Sequence, residues 1–279
     1  MPARREAPNV FGRARIGSRP EYVPGMSRPL RLLAPGLVYH VMARGNARMT
    51  IYHDDIDYRR FLDLLETIVD RFRVECWAYC LMPNHYHAIL RTPAPNLSQA
   101  IRYLNGVYAQ RWNRRHGRSG HVFQGRFKSQ VVDDDAYLLV VSRYVVLNPV
   151  RAGLAATPGG WRWSSYMATA GLTIRPSFLD VDPVLRQFGG VNRRSWRRRY
   201  IQYVNSAMPD HLSVGKDIRS DRRVLGSDAF ARQFQIVAEH ASPEVPLRDR
   251  RLGRPDVQHV LQRALGGQSL PGAITHARR

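Results

Sequence analysis

The chain has 279 residues, is 44% hydrophobic, and carries 43 Lys and Arg residues against 22 Asp and Glu residues, a formal charge of +21. The apolar content supports a packed core, and the positive charge indicates a polyanionic partner, most often nucleic acid, although a merely basic or ribosome-associated protein would look the same. With only two cysteines, no transmembrane-length apolar run and no signal peptide, the composition argues against a disulfide scaffold and against a membrane partner, so we expect a cytoplasmic protein.

The N-terminal segment, residues 1–29, is rich in Arg, Pro and Gly and shows little apolar periodicity. Such a composition predicts a disordered basic extension. Met26 lies near its end, so a translation start there would remove only this extension.

Alternating and helical apolar patterns then follow one another along the chain. The first elements predicted are a strand at 36–44, a helix at 54–72, and strands at 74–82 and 85–90 joined by a tight turn. A second helix, capped by Asn96 or Ser98, runs to about 115, and a strand follows at 128–132. The third helix runs from 136 to about 147, with aspartate caps at 133–135 and an end at Asn148-Pro149.

The first six elements have the order of a split βαβ domain. We therefore predict an α+β, ferredoxin-like fold, with an antiparallel four-stranded sheet that carries helices on one face and with the third helix as an addition. Further helices are predicted at 178–204, 228–241 and 250–265, which gives a mainly helical C-terminal extension.

The strand that begins at His85 places a pair of histidines on one face. His85 and His87 are alternate residues, so their side chains project together while Tyr86 projects from the other face. Two neutral imidazoles on a rigid strand can hold a divalent metal ion, or can simply lie on a half-exposed sheet face. A structural zinc site is not expected, because it needs four ligands and because Cys76 and Cys80 are too far apart along an extended strand to form a pair.

The third helix carries Tyr137 and Tyr144. Tyr144 and Asn148 lie four residues apart and share a helical face. A phenolate there could attack a phosphodiester whose oxygen is polarised by a metal ion. By spacing alone, a half-buried tyrosine with no catalytic role is the commoner outcome.

Basic and aromatic side chains interleave on the second helix and again before the fourth strand. Our candidate DNA-binding residues are Arg102, Arg111, Arg114, Arg115, Arg126 and Lys128. A solvated basic face would explain those on the helix equally well. A second basic helix opens at residues 193–200, and the overall charge slightly favours a DNA-binding surface there.

Several motifs occur in a specific order between residues 37 and 166. They are Tyr39-His40-Val41 with Arg44-Gly45-Asn46, His85-Tyr86-His87, and the segments at 123–129, 143–154 and 161–166. This combination resembles the single-tyrosine HUH-endonuclease transposases, and in particular the REP-associated tyrosine transposases. The tyrosine between the histidines is a mild departure from the family, in which an apolar residue is usual.

The resemblance implies a ferredoxin-like catalytic domain at 30–166, between the extension at 1–29 and a basic, mainly helical region at 167–279. It implies that His85 and His87 bind Mg²⁺ or Mn²⁺, that Asn148 completes the site, and that Tyr144 is the nucleophile, with Tyr137 as second choice. The implied activity is DNA transposition, a form of recombination. Single-stranded DNA flanking a hairpin would be cut and rejoined through a 5′-phosphotyrosine. DNA is then the partner of a monomer or homodimer, with no small-molecule substrate.

Two other functions are compatible with the same residues. A non-catalytic ferredoxin-like domain could bind DNA or RNA with a sheet face, using Tyr86 and Trp77 as stacking aromatics. A metal-dependent hydrolase could use an activated water and would leave no link between protein and DNA.

Overall fold

A computed structural model describes residues 31–133, 137–206, 224–226 and residue 230. Its elements, in chain order, are β1 (Leu37–Arg44), a 3-10 turn (Asn46–Arg48), α1 (Asp55–Phe72), β2 (Glu75–Met82), β3 (His85–Thr92), α2 (Leu97–Arg115), β4 (Lys128–Val132), α3 (Leu138–Arg151), a 3-10 turn (Pro158–Gly160), α4 (Tyr166–Ala170), α5 (Asp182–Arg186), α6 (Arg193–Asn205) and β5 (Val224–Leu225).

The strands form one sheet in the order β2-β3-β1-β4-β5. The first four strands pair in an antiparallel manner, which confirms the predicted α+β fold with its four-stranded antiparallel sheet. The fifth strand was not predicted. It pairs in parallel with β4 through Val224 and Leu225, and a two-residue strand is too short to show any periodicity in sequence.

The two helices of the split βαβ order lie on one face of the sheet, as predicted, and α3, the predicted addition, covers the opposite face. On the first face Tyr86 of β3 packs against Phe61 of α1, whose ring in turn contacts Tyr108 of α2. On the opposite face His87 of β3 contacts the ring of Tyr144 of α3. Because Tyr86 and His87 are neighbours in one strand, α3 lies on the face that α1 and α2 leave open.

The catalytic-helix candidate α3 is longer than predicted. It begins at Leu138, with Tyr137 rather than an aspartate at its N-cap, and residues 134–136 lie outside the described part of the chain. It continues through Pro149 to Arg151, so the predicted end at Asn148-Pro149 is wrong. Proline in the last turn removes a single N–H donor, and the helix ends only where Gly153 adopts a φ of 69°.

The predicted helix at 178–204 is interrupted. The structure has α5 and α6 instead, separated at Gly189 and Gly190, whose φ values are 59° and 115°. These are left-handed conformations that break a helix. The predicted helices at 228–241 and 250–265, and the extension at 1–29, lie outside the described residues, except that residue 230 is helical.

One hydrophobic core continues across residue 166. It includes Tyr166, Leu185, Tyr200 and Val204 together with the strands of the sheet. The segment before α4 also bonds to the edge strand β2, since the N–H of Leu81 donates to the carbonyl of Trp163. None of the described helices is both long enough and apolar enough to cross a membrane.

Candidate active site between the sheet and helix α3

The two predicted metal ligands lie side by side on the sheet face covered by α3. Their ring centroids are 5.0 Å apart. His87 is buried, with 2% of its surface exposed, whereas His85 at the start of β3 is partly exposed. The ladder registers Arg44 of β1 opposite His85 and Met42 opposite His87.

A third histidine, which we did not predict as a site residue, completes this layer. His40 of β1 stacks on His87 with centroids 5.0 Å apart and an interplanar angle of 8°. Its Nε2 lies 2.8 Å from Nδ1 of His87, and its Nδ1 lies 3.2 Å from Oε1 of Gln130 on β4. The presence of His40 in the opening motif was the available signal.

Tyr144 is the tyrosine of α3 that meets these rings in the described structure. Its ring stands edge-on to His87 at 5.6 Å and to His40 at 6.1 Å. Tyr137, the second choice, lies at the N-cap of the same helix. The guanidinium of Arg151, the last residue of α3, lies 5.2 Å from the Tyr144 ring.

Asn148 lies one turn after Tyr144, as the spacing predicted. Its amide nitrogen donates to the backbone carbonyl of Tyr144 at 2.8 Å. The amide oxygen is therefore the atom of this side chain that suits a hard divalent cation.

The imidazoles are held neutral, which is the form that binds a metal ion. Burial lowers the pKa of His40 to about 4. Burial, together with the charge of Arg44, lowers the pKa of His85 to about 4. Burial, and then the neighbouring His40, His85 and Arg44, brings the pKa of His87 well below its ordinary value.

Arg44 adds a cation to this site. It is partly buried, and among the described residues its buried Nε has no hydrogen-bond partner. A guanidinium in such a position is suited to a phosphate oxygen. Arg44 belongs to the opening sequence motif, but no role was predicted for it, because only the strand register shows that it faces His85.

The side chains at this site supply only some of the ligands that a divalent ion needs. Within the described ranges no group of three His, Cys, Asp or Glu side chains could hold a metal. Cys80, beside His87 in the ladder, is a poor ligand because burial raises the pKa of its thiol. The set His85, His87 and Asn148 fits Mg²⁺ or Mn²⁺ if water or phosphate oxygens supply the remaining positions.

The predicted DNA-binding residues divide between the two faces. Arg102, Arg111 and Arg114 are exposed on α2, on the far side of the sheet from the histidines. Arg115 bonds to Asp54 at 2.5 Å and to Asp57 at 2.6 Å, so its charge is used inside the fold. Arg126 is exposed in the loop before β4.

Lys128 differs from the α2 arginines in its position. It is exposed and is registered with Met42 of β1, which in turn pairs with His87. Registered residues share a face of the sheet. Lys128 therefore lies on the face that bears the histidines.

The alternative function, a sheet face that binds nucleic acid, requires Tyr86 and Trp77 to be exposed for stacking, and both are buried. Tyr86 is 1% exposed and Trp77 is 5% exposed. Both rings are covered by the fold and cannot stack on bases in this structure.

Comparison with known proteins gives a consistent family. Residues 34–148 match the sequence model of the family described as transposase IS200 like. A Haemophilus influenzae protein described as a REP-associated tyrosine transposase is 25% identical over 147 residues, which are 48% of this chain and 84% of that protein.

Two solved structures are also similar. A REP-associated tyrosine transposase bound to a REP hairpin is 19% identical, with a TM-score of 0.46, over 56% of this chain and 93% of that one. A transposase from Deinococcus radiodurans is 18% identical, with a TM-score of 0.31, over 46% of this chain and 92% of that one.

The match to the IS200-like transposase family covers residues 34–148, which are less than half of the chain. These residues contain β1 to β4, both histidines of the pair and Tyr144. The resemblance to the REP-associated tyrosine transposases that the sequence motifs predicted is confirmed.

Proposed function

We propose that this protein is a transposase that cuts and rejoins single-stranded DNA beside a hairpin, through a 5′-phosphotyrosine at Tyr144. The observation that carries the proposal is the edge-on placement of the Tyr144 ring 5.6 Å from His87, on the face shared with His85. The match of residues 34–148 to the IS200-like transposase family and the charge of +21 support DNA as the partner.

In this proposal His85 and His87, with the amide oxygen of Asn148, hold Mg²⁺ or Mn²⁺. When bound, the ion would neutralise charge on the scissile phosphate and polarise its oxygen. The low pKa of the imidazoles keeps both lone pairs available at neutral pH. Arg44, beside His85, adds a fixed cation that suits a non-bridging phosphate oxygen.

Tyr144 supplies the nucleophile. Its phenol oxygen bonds to phosphorus, loses its proton, and displaces the 3′-oxygen of the neighbouring nucleotide, which leaves as a hydroxyl. The guanidinium of Arg151 lies 5.2 Å from the ring, where its fixed charge suits a phosphate oxygen. The phosphotyrosine keeps the energy of the ester bond, so a later attack by a 3′-hydroxyl can rejoin DNA without ATP.

A denaturing gel tests the nucleophile. The full chain is incubated with Mn²⁺ and a labelled hairpin oligonucleotide with single-stranded flanks, and wild-type protein should give an SDS-stable adduct. Tyr144→Phe should lose the adduct and keep hairpin binding, because the variant removes the nucleophilic oxygen and keeps the ring. Tyr137→Phe is the matched control on the same helix and should keep the adduct.

Other outcomes would contradict specific parts of the proposal. If Tyr137→Phe loses the adduct and Tyr144→Phe keeps it, the nucleophile is misassigned. If the double variant still forms the adduct, the mechanism on α3 is wrong, and cleavage without any adduct favours a hydrolase. His85→Ala and His87→Ala should each abolish Mn²⁺-dependent cleavage, and wild-type rates in either variant would remove the metal role.

A further inference from the structure

We propose that Gln130 and His40 are positioning residues that fix the tautomer of His87, so that its Nε2 carries the lone pair that meets a metal ion. The inference rests on the proposed metal-binding role of His87. It concerns three side chains from three adjacent strands, β4, β1 and β3, linked in a row by hydrogen bonds.

The direction of each hydrogen bond follows from the first acceptor. Oε1 of Gln130 can only accept, so Nδ1 of His40, 3.2 Å away, must donate. A neutral imidazole has one N–H, which leaves Nε2 of His40 as an acceptor. Nδ1 of His87, 2.8 Å from that nitrogen, must then carry the proton. Nε2 of His87 is left with its lone pair free of a proton.

Burial of the three side chains enforces these donor and acceptor assignments. His40 is 3% exposed, Gln130 is 6% exposed and His87 is 2% exposed. In the opposite tautomer of His87, two nitrogen lone pairs would face each other at 2.8 Å with little access for water to separate them. His40 uses both ring nitrogens in the row, so it is itself unavailable as a ligand.

The tautomer of His85, the more exposed of the two proposed ligands, is fixed in the same way by Asn84. Nδ1 of His85 lies 2.6 Å from Oδ1 of Asn84. The amide nitrogen of Asn84 donates to the carbonyl of Arg48 at 3.1 Å, which identifies the oxygen as the atom facing the histidine. His85 therefore also presents Nε2. Two independent hydrogen-bond systems thus leave Nε2 unprotonated on both proposed ligands.

The variant Gln130→Met removes the acceptor at nearly constant length, and Gln130→Glu keeps an acceptor oxygen. Gln99→Met is the matched control, because Gln99 is exposed on α2 on the opposite face of the sheet. The full chain is labelled with ¹⁵N-histidine, and ring nitrogen resonances are recorded without metal at pH 7. Mn²⁺ affinity is then measured by electron paramagnetic resonance, and thermal unfolding reports folding of each variant.

We expect wild-type His40 and His87 to be single Nδ1–H tautomers. Gln130→Met should show mixed tautomers and bind Mn²⁺ about 10–100-fold more weakly, the usual effect of losing a partner behind a metal-binding histidine. Gln130→Glu should restore the Nδ1–H form, and Gln99→Met should match wild type in both measurements.

The proposal is overturned if wild-type His87 carries its proton on Nε2, a result that needs no variant to fold. It is also overturned if folded Gln130→Met keeps wild-type tautomers and wild-type Mn²⁺ affinity. Nδ1–H tautomers in a wild-type chain that binds no Mn²⁺ would support the hydrogen-bonded row while contradicting the metal role in the proposed function, so the two failures are distinguishable.

Discussion

Charge at the candidate site comes from arginines, and the imidazoles contribute none near neutral pH. Arg44 faces His85 across the ladder, and Arg151 lies over the Tyr144 ring. Burial is the main cause of the lowered pKa values of His85 and His87, and the like charge of Arg44 adds to it. The same arrangement suits a phosphate, whose negative charge all of these groups would favour.

Stability should therefore depend on pH through His40. Its pKa is about 4 in the folded chain against an ordinary value of 6.5, so between these values the unfolded chain binds a proton that the folded chain does not. The free energy of unfolding should fall as pH drops from about 7 to 5.5, by about 1 kcal/mol from His40. Urea unfolding in EDTA measures this fall.

The control for that prediction is His40→Gln, which has no imidazole to protonate and keeps a polar side chain. Its fall over the same pH interval should be smaller than that of wild type, although His85 and His87 still contribute in the same direction. Equal falls in both proteins would contradict the assignment to His40. Measurements stop at pH 5.5 because carboxylates begin to titrate below it.

At this scale, sequence periodicity predicts partners within an element but not across elements. The alternation of His85 and His87 and the four-residue spacing of Tyr144 and Asn148 are local, and the structure has both. His40 meets His87 only through the pairing of β1 with β3, which no local pattern specifies. Arg115 was a DNA-contact prediction, and its ion pairs depend on how α2 packs against the start of α1.

Among the elements, the two turns that precede α1 and β3 hold each other in place. The N–H of Gly45 donates to the carbonyl of Asn84 at 2.8 Å, and that of Ile51 donates to the carbonyl of Pro83 at 2.8 Å. A Cβ on Gly45 would lie 2.2 Å from the carbonyl oxygen of Met49, so the backbone can come this close only at glycine. Asn84 in turn holds the ring of His85.

Gly45→Ala should therefore destabilise the fold, by about 1–3 kcal/mol as for other overpacked sites. The matched control is Gly106→Ala, since Gly106 lies in α2 with open space around the added methyl group. That change should be neutral or stabilising by about 0.5–1 kcal/mol. Urea unfolding at pH 7 measures both, and a Gly45→Ala protein as stable as Gly106→Ala would contradict the packing argument.

The elements that sequence predicts well here are those with strong periodicity. The strand at 128–132 and the helix ending at Phe72 have the predicted bounds at those ends. Helical spacing shows which residues of α3 share a face, but not which face of the sheet they meet, so no prediction was made for its position opposite α1 and α2. The break at Gly189 and Gly190 was missed although the sequence carries a signal for it, since adjacent glycines interrupt helices.

Over the whole molecule, basic surface occurs on both sides of the sheet. Two of the exposed arginines of α2, Arg111 and Arg114, lie with Arg60 of α1 on the face away from Tyr144. The basic helix α6 is instead joined to α3, since Arg143 donates to the carbonyl of Ser206 and lies 5.0 Å from the ring of Tyr203. A DNA hairpin could contact either surface while its single-stranded flank reaches Tyr144.

The salt dependence of hairpin binding can show which of these two surfaces contacts the DNA. Binding of the hairpin oligonucleotide should weaken steeply with salt, because each neutralised phosphate adds about −0.9 for duplex or −0.7 for single strand to the slope of log K against log salt. Replacing Arg102, Arg111 and Arg114 by Gln should make the slope shallower by about 1 per lost contact if α2 binds DNA. The comparison variant replaces Arg194 and Arg198, both exposed on α6, and Arg115 is left intact because it stabilises the fold.

Fluorescence anisotropy at several salt concentrations measures all three slopes. A shallower slope only in the α2 variant would locate the hairpin on the face opposite the candidate active site, so that the flanking strand must pass around the sheet to reach Tyr144. A shallower slope only in the α6 variant would locate it beside α3, and would mean that the α2 arginines form a solvated face. An affinity independent of salt in the wild-type protein would contradict phosphate binding altogether, because a chain of charge +21 that neutralises phosphates must release counterions.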